Sequence, residues 1–367
     1  AKRLGLKDVE PDIIGRSYEY LIRKFAEGSG QSAGEFYTPA EVGLVMARIM
    51  DIEPGMDVYD PCCGSAGLLI KCELTLQEKM NLRSKKKFAP AKLYGQENEA
   101  GTWAMANMNM IIHDMEGEIQ IGDTFRKPKF RKGNRLQTFD RVVANPMWNQ
   151  KEFKEKDYDA DELDRFPKGA GFPGQQSADW GWMQHILASL NDKGRAAVVL
   201  DTGAASRGSG NANRDKEKDV RRWFVEQDVI EGVLYLPENL FYNTTAPGIV
   251  IVLNKTKSKE RQGKLFLFNA SREFEKGDPK NYIPEDAIVR IADTFTAWKE
   301  VEKYSRIVSR EEIAKNDYNI SPSRYIHTGE GEEYRPIAEI MEELEALESE
   351  AVDTDSVLRK ILKALPI

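Results

Sequence analysis

Asn145-Pro146-Met147-Trp148 puts a carboxamide, a backbone angle locked by proline and a flat apolar ring within four residues. The plainer reading of such a tetrapeptide is a turn before a loop. Upstream, Asp60-Pro61-Cys62-Cys63-Gly64-Ser65-Ala66-Gly67 is a glycine-rich turn in which the chain can pass close to a ligand, a weak signal when it stands by itself. Gly95-Gln96-Glu97 places a carboxylate where a pair of ribose hydroxyls can be accepted, by the logic of the dinucleotide fingerprint. In Gly122-Asp123-Thr124 the Asp can accept from an adenine amino group or simply cap a turn. Taken together these segments favour a nucleoside cofactor. No Gly-Lys-Ser/Thr follows the first turn, which disfavours a triphosphate-binding loop.

Each segment sits where a strand should end. From Met56 onward, short β-rich runs alternate with helical ones: MDVYD, SAGLLIKCELTLQEKM, KLYGQ, AGTWAMANMNMIIH, EIQI and FDRVVA. That alternation predicts βαβ units on a parallel sheet, whose carboxyl edge binds nucleosides. It resumes with the helix WGWMQHILASL, the strand RAAVVL, a helix around DVRRWFVEQ, and the strands DVIEGVLYL, GIVIVLN and KLFLF, all of which one continuous sheet can take. The fold class expected is α/β, a mainly parallel twisted sheet. A short helical segment precedes it, with Ile14, Tyr18, Leu21, Ile22 and Phe25 at helical spacing before Gly28-Ser29-Gly30. A helical tail follows it, with Ile337, Ile340, Met341, Leu344 and Leu347 spaced like a coiled-coil seam that would dock on a partner helix. The domain boundaries expected are 1–33, 34–326 and 327–367. Residues 151–176, charged and then rich in Gly and Pro, read as a surface insertion or mobile loop, and SRGSGNANRDKEKD from Ser206 reads similarly.

The chain has 367 residues, 41% of them hydrophobic and 31% charged, enough for a sizeable core. No run of eighteen apolar residues and no signal peptide is present, so a cytoplasmic location and no membrane partner are expected. Cys62, Cys63 and Cys72 do not make a zinc spacing and read as reduced core residues, and no metal is expected. A net charge of −7 leaves a nucleic-acid partner possible only through local basic surface. Two clusters qualify, Arg83 to Lys87 and Arg126 to Arg135, although each taken alone is more often a solvated loop. The first residue is Ala, which suggests that the chain begins inside a longer protein.

The spaced motifs resemble those of amino-group DNA methyltransferases and, from about Ile13 to Ile326, those of type I restriction-modification modification subunits. Gly34-Glu35-Phe36-Tyr37-Thr38-Pro39, ENEAGTWAMANMNM, ADWGWMQHILASL, LPENLFYNT and NISPSRYI carry the resemblance beyond the tetrapeptide. It implies S-adenosyl-L-methionine as cofactor, with Tyr37 and Thr38 lining its methionine end. Asp60, Gly64, Ser65 and Gly67 would form the cofactor loop, Glu97 would hold the ribose and Asp123 the cofactor adenine. Asn145, Pro146 and Trp148 would be catalytic. The implied partners are DNA, a separate specificity subunit that recognises the target sequence, a second copy of the chain, and a restriction (translocase/nuclease) subunit.

Chemistry favours that assignment of Asn145 and Pro146. The amino nitrogen of adenine delocalises its lone pair into the ring and is a poor nucleophile. Hydrogen bonds from that NH2 to the Asn145 side-chain oxygen and the Pro146 carbonyl would pull it toward tetrahedral geometry and localise the pair, with no metal or covalent intermediate. The base must leave the duplex, costing a few kcal/mol, and stacking on Trp148 would return roughly 1–3 kcal/mol. The chain departs from the usual Asn-Pro-Pro-Phe or Asn-Pro-Pro-Tyr at Met147 and Trp148, and from a common glycine at Ala66, tolerable in a tight turn of negative φ. Two other readings stand beside DNA adenine methylation: methylation of a protein glutamine amide, and a catalytically weakened subunit that binds cofactor and serves assembly.

Overall fold

A computed structural model describes residues 20–21, 37–83, 87–211, 215–242 and 244–328. The seam from Ile337 to Leu347, most of the amino-terminal helical segment and Gly34 to Phe36 lie outside the described residues. Helix α1 (Ala40–Met50) buries Val42, Val45, Met46, Ile49 and Met50, the three- and four-residue spacing of one helical face. It stops at Asp51, which adopts a left-handed backbone at φ 48°. The βαβ units then follow: β1 (Asp57–Asp60), α2 (Gly67–Arg83), β2 (Lys92–Glu97), α3 (Ala100–Ile112) and β3 (Gly117–Ile121). A small hairpin, β4 (Arg131–Lys132) and β5 (Arg135–Leu136), leads into β6 (Phe139–Ala144). After α4 (Glu155–Asp159) and α5 (Asp179–Ala188) come β7 (Leu190–Asp201), α6 (Lys216–Glu226), β8 (Ile230–Tyr235), β9 (Gly248–Asn254) and β10 (Lys264–Asn269). Helix α7 (Glu285–Ala297), β11 (Ser305–Ser309), α8 (Arg310–Lys315) and α9 (Pro322–Tyr325) complete the order.

Nine strands form one sheet in the order β11-β10-β8-β9-β7-β6-β1-β2-β3. β3, β2, β1, β6 and β7 pair parallel, and only β9 and β11 run against the rest. This is the mainly parallel α/β sheet expected. Alternation along the strands divides the core between the two faces. Val58, Val143, Ala197 and Val199 face α1, α2 and α7, whereas Tyr59, Val142, Ala144, Ala196 and Val198 face α5 and α6. Strand β9, GIVIVLN, is buried along its whole length, the pattern of a strand covered on both faces. Among the described residues no helix is long and apolar enough to cross a membrane. Cys63 and Cys72 are buried and unpaired, and Cys62 is half-buried.

Two polar stretches are more ordered than their composition suggests. The insertion at 151–176, expected as a surface insertion or mobile loop, lies largely at the surface, but Phe153 and Tyr158 are buried with Phe125 and Trp182 in a third apolar cluster. Phe125 is fully buried and stacks on Phe153 at 3.9 Å and on Phe166 at 5.3 Å between ring centroids, with Tyr158 and Trp182 edge-on. Arg165, 2% exposed, donates to the Thr124 and Phe125 carbonyls and to Asp161, which fastens the insertion beneath the end of β3. The composition hid this because the aromatic residues are dispersed among charges. The second polar stretch is likewise structured in part, since α6 begins inside it at Lys216, capped by the Asp215 side chain accepting from Lys218 N–H at 2.9 Å.

Phe125→Ala is expected to lower stability by about 3–5 kcal/mol, because four aromatic partners lose their common contact. Urea unfolding monitored by tryptophan fluorescence measures it, and an unchanged midpoint would contradict a packed insertion.

Candidate active site

Leaving β1, the chain turns through 61–66 into α2. Cys62 N–H donates to Asp60 Oδ1 at 3.0 Å, and Cys63 N–H donates to the Gln96 carbonyl at 3.0 Å. Gly95 on β2 makes this approach possible, because an added Cβ would lie 2.8 Å from Cys63 Sγ. Gly64 and Ala66 have φ of 53° and 63°. The condition under which alanine would be tolerated at position 66, a negative φ, is therefore not met: the residue sits in the left-handed region. A methyl group there costs about 1–2 kcal/mol. Two terms offset that cost: about 0.4–1 kcal/mol because alanine restricts the unfolded chain, and about 0.8 kcal/mol from burying a methyl. The balance near zero explains why alanine is accommodated.

Glu97 closes the turn from β2. Its Oε2 accepts from Gly64 N–H at 3.0 Å and its Oε1 from Glu99 N–H at 2.9 Å, so one carboxylate holds two loops and keeps further lone pairs for hydroxyl donors. Gln96, fully buried, donates to the Gly122 carbonyl at 2.9 Å and accepts from Lys129 N–H at 2.9 Å, which fixes the turn after β3. In that turn Asp123 accepts from Arg126 N–H and from its guanidinium, and Thr124 Oγ1 donates to the Pro61 carbonyl at 2.6 Å. Sequence reasoning missed Gln96 and Thr124; their signal is only that each neighbours a residue already singled out.

After β6, Asn145 is held at both ends of its carboxamide. Nδ2 donates to Thr38 Oγ1 at 3.1 Å, and Oδ1 accepts from Trp148 Nε1 at 3.1 Å. The Trp148 ring lies edge-on to Phe241, with centroids 4.9 Å apart, Pro146 is buried, and Met147 is 46% exposed. Tyr37 meets Tyr242 edge-on at 5.5 Å.

These segments enclose two adjoining cavities. The larger, about 550 Å³, runs from Glu97 and Asp123 past Phe153 and Trp182 to Asn145 and Met147. The smaller, about 30 Å³, is lined by Tyr37, Thr38, Asp60, Ser65, Gly67 and Asn145. Cys62 and Asn145 border both. All the site residues expected from sequence except Pro146 and Trp148 thus line this double cavity, and Trp148 lies behind Asn145, to which it is hydrogen-bonded. Phe153 and Trp182 were not singled out for it.

The lining is acidic: Glu97, Glu99, Asp123 and Glu152 face a single guanidinium, Arg126, in the larger cavity. Burial, and next the neighbouring Glu97 charge, push the Asp60 carboxyl up to about 7, against the N–H of Cys62, which pulls it down. Burial and then Asp60 push the Cys62 thiol well above its usual range, so no thiolate nucleophile is available there. A nucleoside that carries positive charge fits this lining in volume and sign.

A family model described as N-6 DNA Methylase matches residues 9–334. The type I restriction enzyme MjaVII methylase subunit of Methanocaldococcus jannaschii is 37% identical over 364 residues, 95% of this chain and 59% of the relative. The HindI methylase subunit of Haemophilus influenzae is 30% identical over 372 residues, 98% of this chain and 78% of the relative. The chain spans about three fifths of the length of the MjaVII methylase subunit and of a second M. jannaschii relative, the MjaVIII methylase subunit. Among solved structures, the type I restriction-modification system methyltransferase subunit from Streptococcus thermophilus superposes with a TM-score of 0.77 at 28% identity, covering 88% of this chain and 66% of that one.

The Asp60 carboxyl, raised from 3.8 to about 7, makes its contribution to stability fully below about pH 4 and loses it as pH rises through 7. Asp60→Asn removes the buried charge, so at pH 8 the cofactor-free variant should be more stable than wild type by roughly 2–4 kcal/mol. At pH 4 that gain should vanish. Unfolding at the two pH values checks this, and an equal difference at both would contradict it.

Proposed function

Because the chain belongs to the N-6 DNA methylase family, we propose that it is the methyl-transferring part of a type I modification subunit, acting on the exocyclic amino group of an adenine turned out of duplex DNA. The observation that carries the reading is the Asn145 carboxamide, fixed between Thr38 and Trp148 where the two cavities meet.

S-adenosyl-L-methionine, the cofactor, supplies when bound a methyl group activated by the positive charge on sulfur. The residues lining the double cavity fit it: Glu97 accepts from the ribose hydroxyls, Asp123 from the adenine amino group, and Tyr37, Thr38 and Asp60 line the methionine end, with Gly64, Ser65 and Gly67 as the loop beneath. Positive charge beside Asp60 favours its carboxylate. Asn145 Oδ1 retains one acceptor site beyond the Trp148 indole. That site and the Pro146 carbonyl take the two hydrogens of the adenine amino group and draw its lone pair out of the ring. Stacking on Trp148, worth roughly 1–3 kcal/mol, offsets part of the cost of extracting the base. In the transfer the methyl–sulfur bond would break, its electron pair staying on sulfur, as the bond to nitrogen forms, and one amino proton would be released to solvent.

Residues 34–326 form the methyltransferase domain in this reading, with helical segments at 1–33 and 327–367. The subunit works with a specificity subunit, a second copy of itself and a restriction subunit, and in the cytoplasm. The relatives are themselves named as subunits of restriction enzymes. Un-ionised Cys62 argues against chemistry through a covalent thiol adduct.

In the assembled complex, Asn145→Ala should abolish methyl transfer while leaving cofactor affinity within about threefold, since the side chain faces the acceptor base. Glu97→Ala should do the reverse in calorimetry, weakening cofactor binding by roughly 1–3 kcal/mol through loss of an acceptor for ribose. If Asn145→Ala transfers methyl at the wild-type rate, Asn145 is not the reaction centre.

A further inference from the structure

ADWGW enters the site described so far only through the Trp182 ring that lines the larger cavity. It opens α5, and each of its polar groups is directed at another part of the chain. Asp179 is fully buried, and its Oδ1 accepts from Asn149 N–H at 3.0 Å. Three residues on, the Trp182 indole N–H donates to Gln150 Oε1 at 2.8 Å. A spacing of three puts both on one helical face. They therefore grip the two residues that immediately follow Asn145-Pro146-Met147-Trp148. Gly181 between them allows the close approach, since a Cβ there would lie 2.2 Å from the Tyr158 hydroxyl and 3.0 Å from Phe125. Trp180 anchors the helix from behind, its indole donating to the Ala204 carbonyl at 2.9 Å.

The grip is itself fastened. Asp179 Oδ2 pairs with Arg207, which also binds Asp201 at the end of β7 at 2.7 Å and Glu217 of α6 at 2.7 Å. Asn149 needs such a hold, because its φ of 57° lies in the left-handed region and turns the chain sharply out of the tetrapeptide.

Building on the methyl-transfer reading above, we propose that Asp179 and Trp182 are positioning residues for the reaction. They clamp Asn149 and Gln150 so that the Asn145 carboxamide and the Pro146 carbonyl keep the direction the adenine amino group requires. Neither need touch the reacting atoms. A misplacement of about 1 Å in such a group can cost on the order of a hundredfold in rate.

The test compares Asp179→Ala with Asp179→Asn in the assembled, cofactor-loaded complex. Both lose the charge pair with Arg207, but only Asn keeps an oxygen for the Asn149 N–H. Single-turnover methyl transfer should fall at least tenfold for Asp179→Ala and less than threefold for Asp179→Asn, with cofactor Kd within threefold for both. Amide hydrogen exchange in the 145–150 peptide should quicken in the Ala variant and stay near wild type in the Asn variant. Trp182→Phe, which keeps a packed ring and removes the indole N–H, serves if Asp179→Ala does not fold, and should move both readouts in the same direction. Equal losses in the Ala and Asn variants, or wild-type rate and exchange in Asp179→Ala or Trp182→Phe, would overturn the proposal. If the wild-type complex transfers no methyl to any adenine-containing duplex, the functional reading fails, and the exchange comparison still decides the clamp.

Discussion

Strands β3, β2, β1 and β6 run parallel as neighbours, so the turns that leave them all emerge on one edge of the sheet. The chain goes outward from β1 to β2 and β3 and then returns to β6 on the opposite side of β1. A crevice opens at that reversal. Asp60, Glu97, Asp123 and Asn145, far apart in sequence, are the last residues of those strands or lie one or two residues past them. Their convergence follows from topology and requires no further design.

What the edge brings together, hydrogen bonds then hold to a fraction of an ångström. Glu97 and Gln96 tie the turn after β1 to those after β2 and β3 through backbone groups, so the loops behave as one surface. Asn145 belongs to a second set: Thr38 and Trp148 fix its side chain, while α5 grips the backbone and side chain just beyond it. In the proposed methyl transfer the two sets would divide the labour, one shaping a binding cavity with an excess of carboxylates, the other aiming a neutral acceptor pair. Burial keeps Asp60 half-charged near neutral pH and keeps Cys62 protonated. Asn145 and Pro146, the proposed reaction centre, carry no ionisable side chain, which suits a nucleophile activated by geometry.

Much of this was legible because the alternation of strand and helix is carried by apolar periodicity, and because glycine, acid and amide residues at strand ends are rare combinations. The mainly parallel sheet and the convergence of Asp60, Glu97, Asp123 and Asn145 follow from those patterns, whereas Tyr37 and Thr38 were placed beside them by the family resemblance alone. Other features rest on contacts between residues distant in sequence, which no local pattern encodes. Phe153 and Tyr158 lie in a charged stretch and pack only because Phe125 and Trp182 await them. Ala66 adopts a left-handed backbone because the turn demands it, against the local preference of alanine. Trp148 looked like a stacking face, and the bond its indole makes to Asn145 depends on a rotamer set by Phe241, almost a hundred residues away. Asp179 and Trp182 do sit at a readable spacing of three, but their partners Asn149 and Gln150 carry no signal of their own.

The account stands or falls on which atom receives the methyl group. Duplex DNA can be incubated with the assembled complex and cofactor carrying an isotopically labelled methyl group, then digested to nucleosides and resolved by mass spectrometry. The account predicts label in N6-methyladenine and in no other nucleoside. Label in a cytosine derivative, or in protein glutamine while the DNA stays unlabelled, would contradict it.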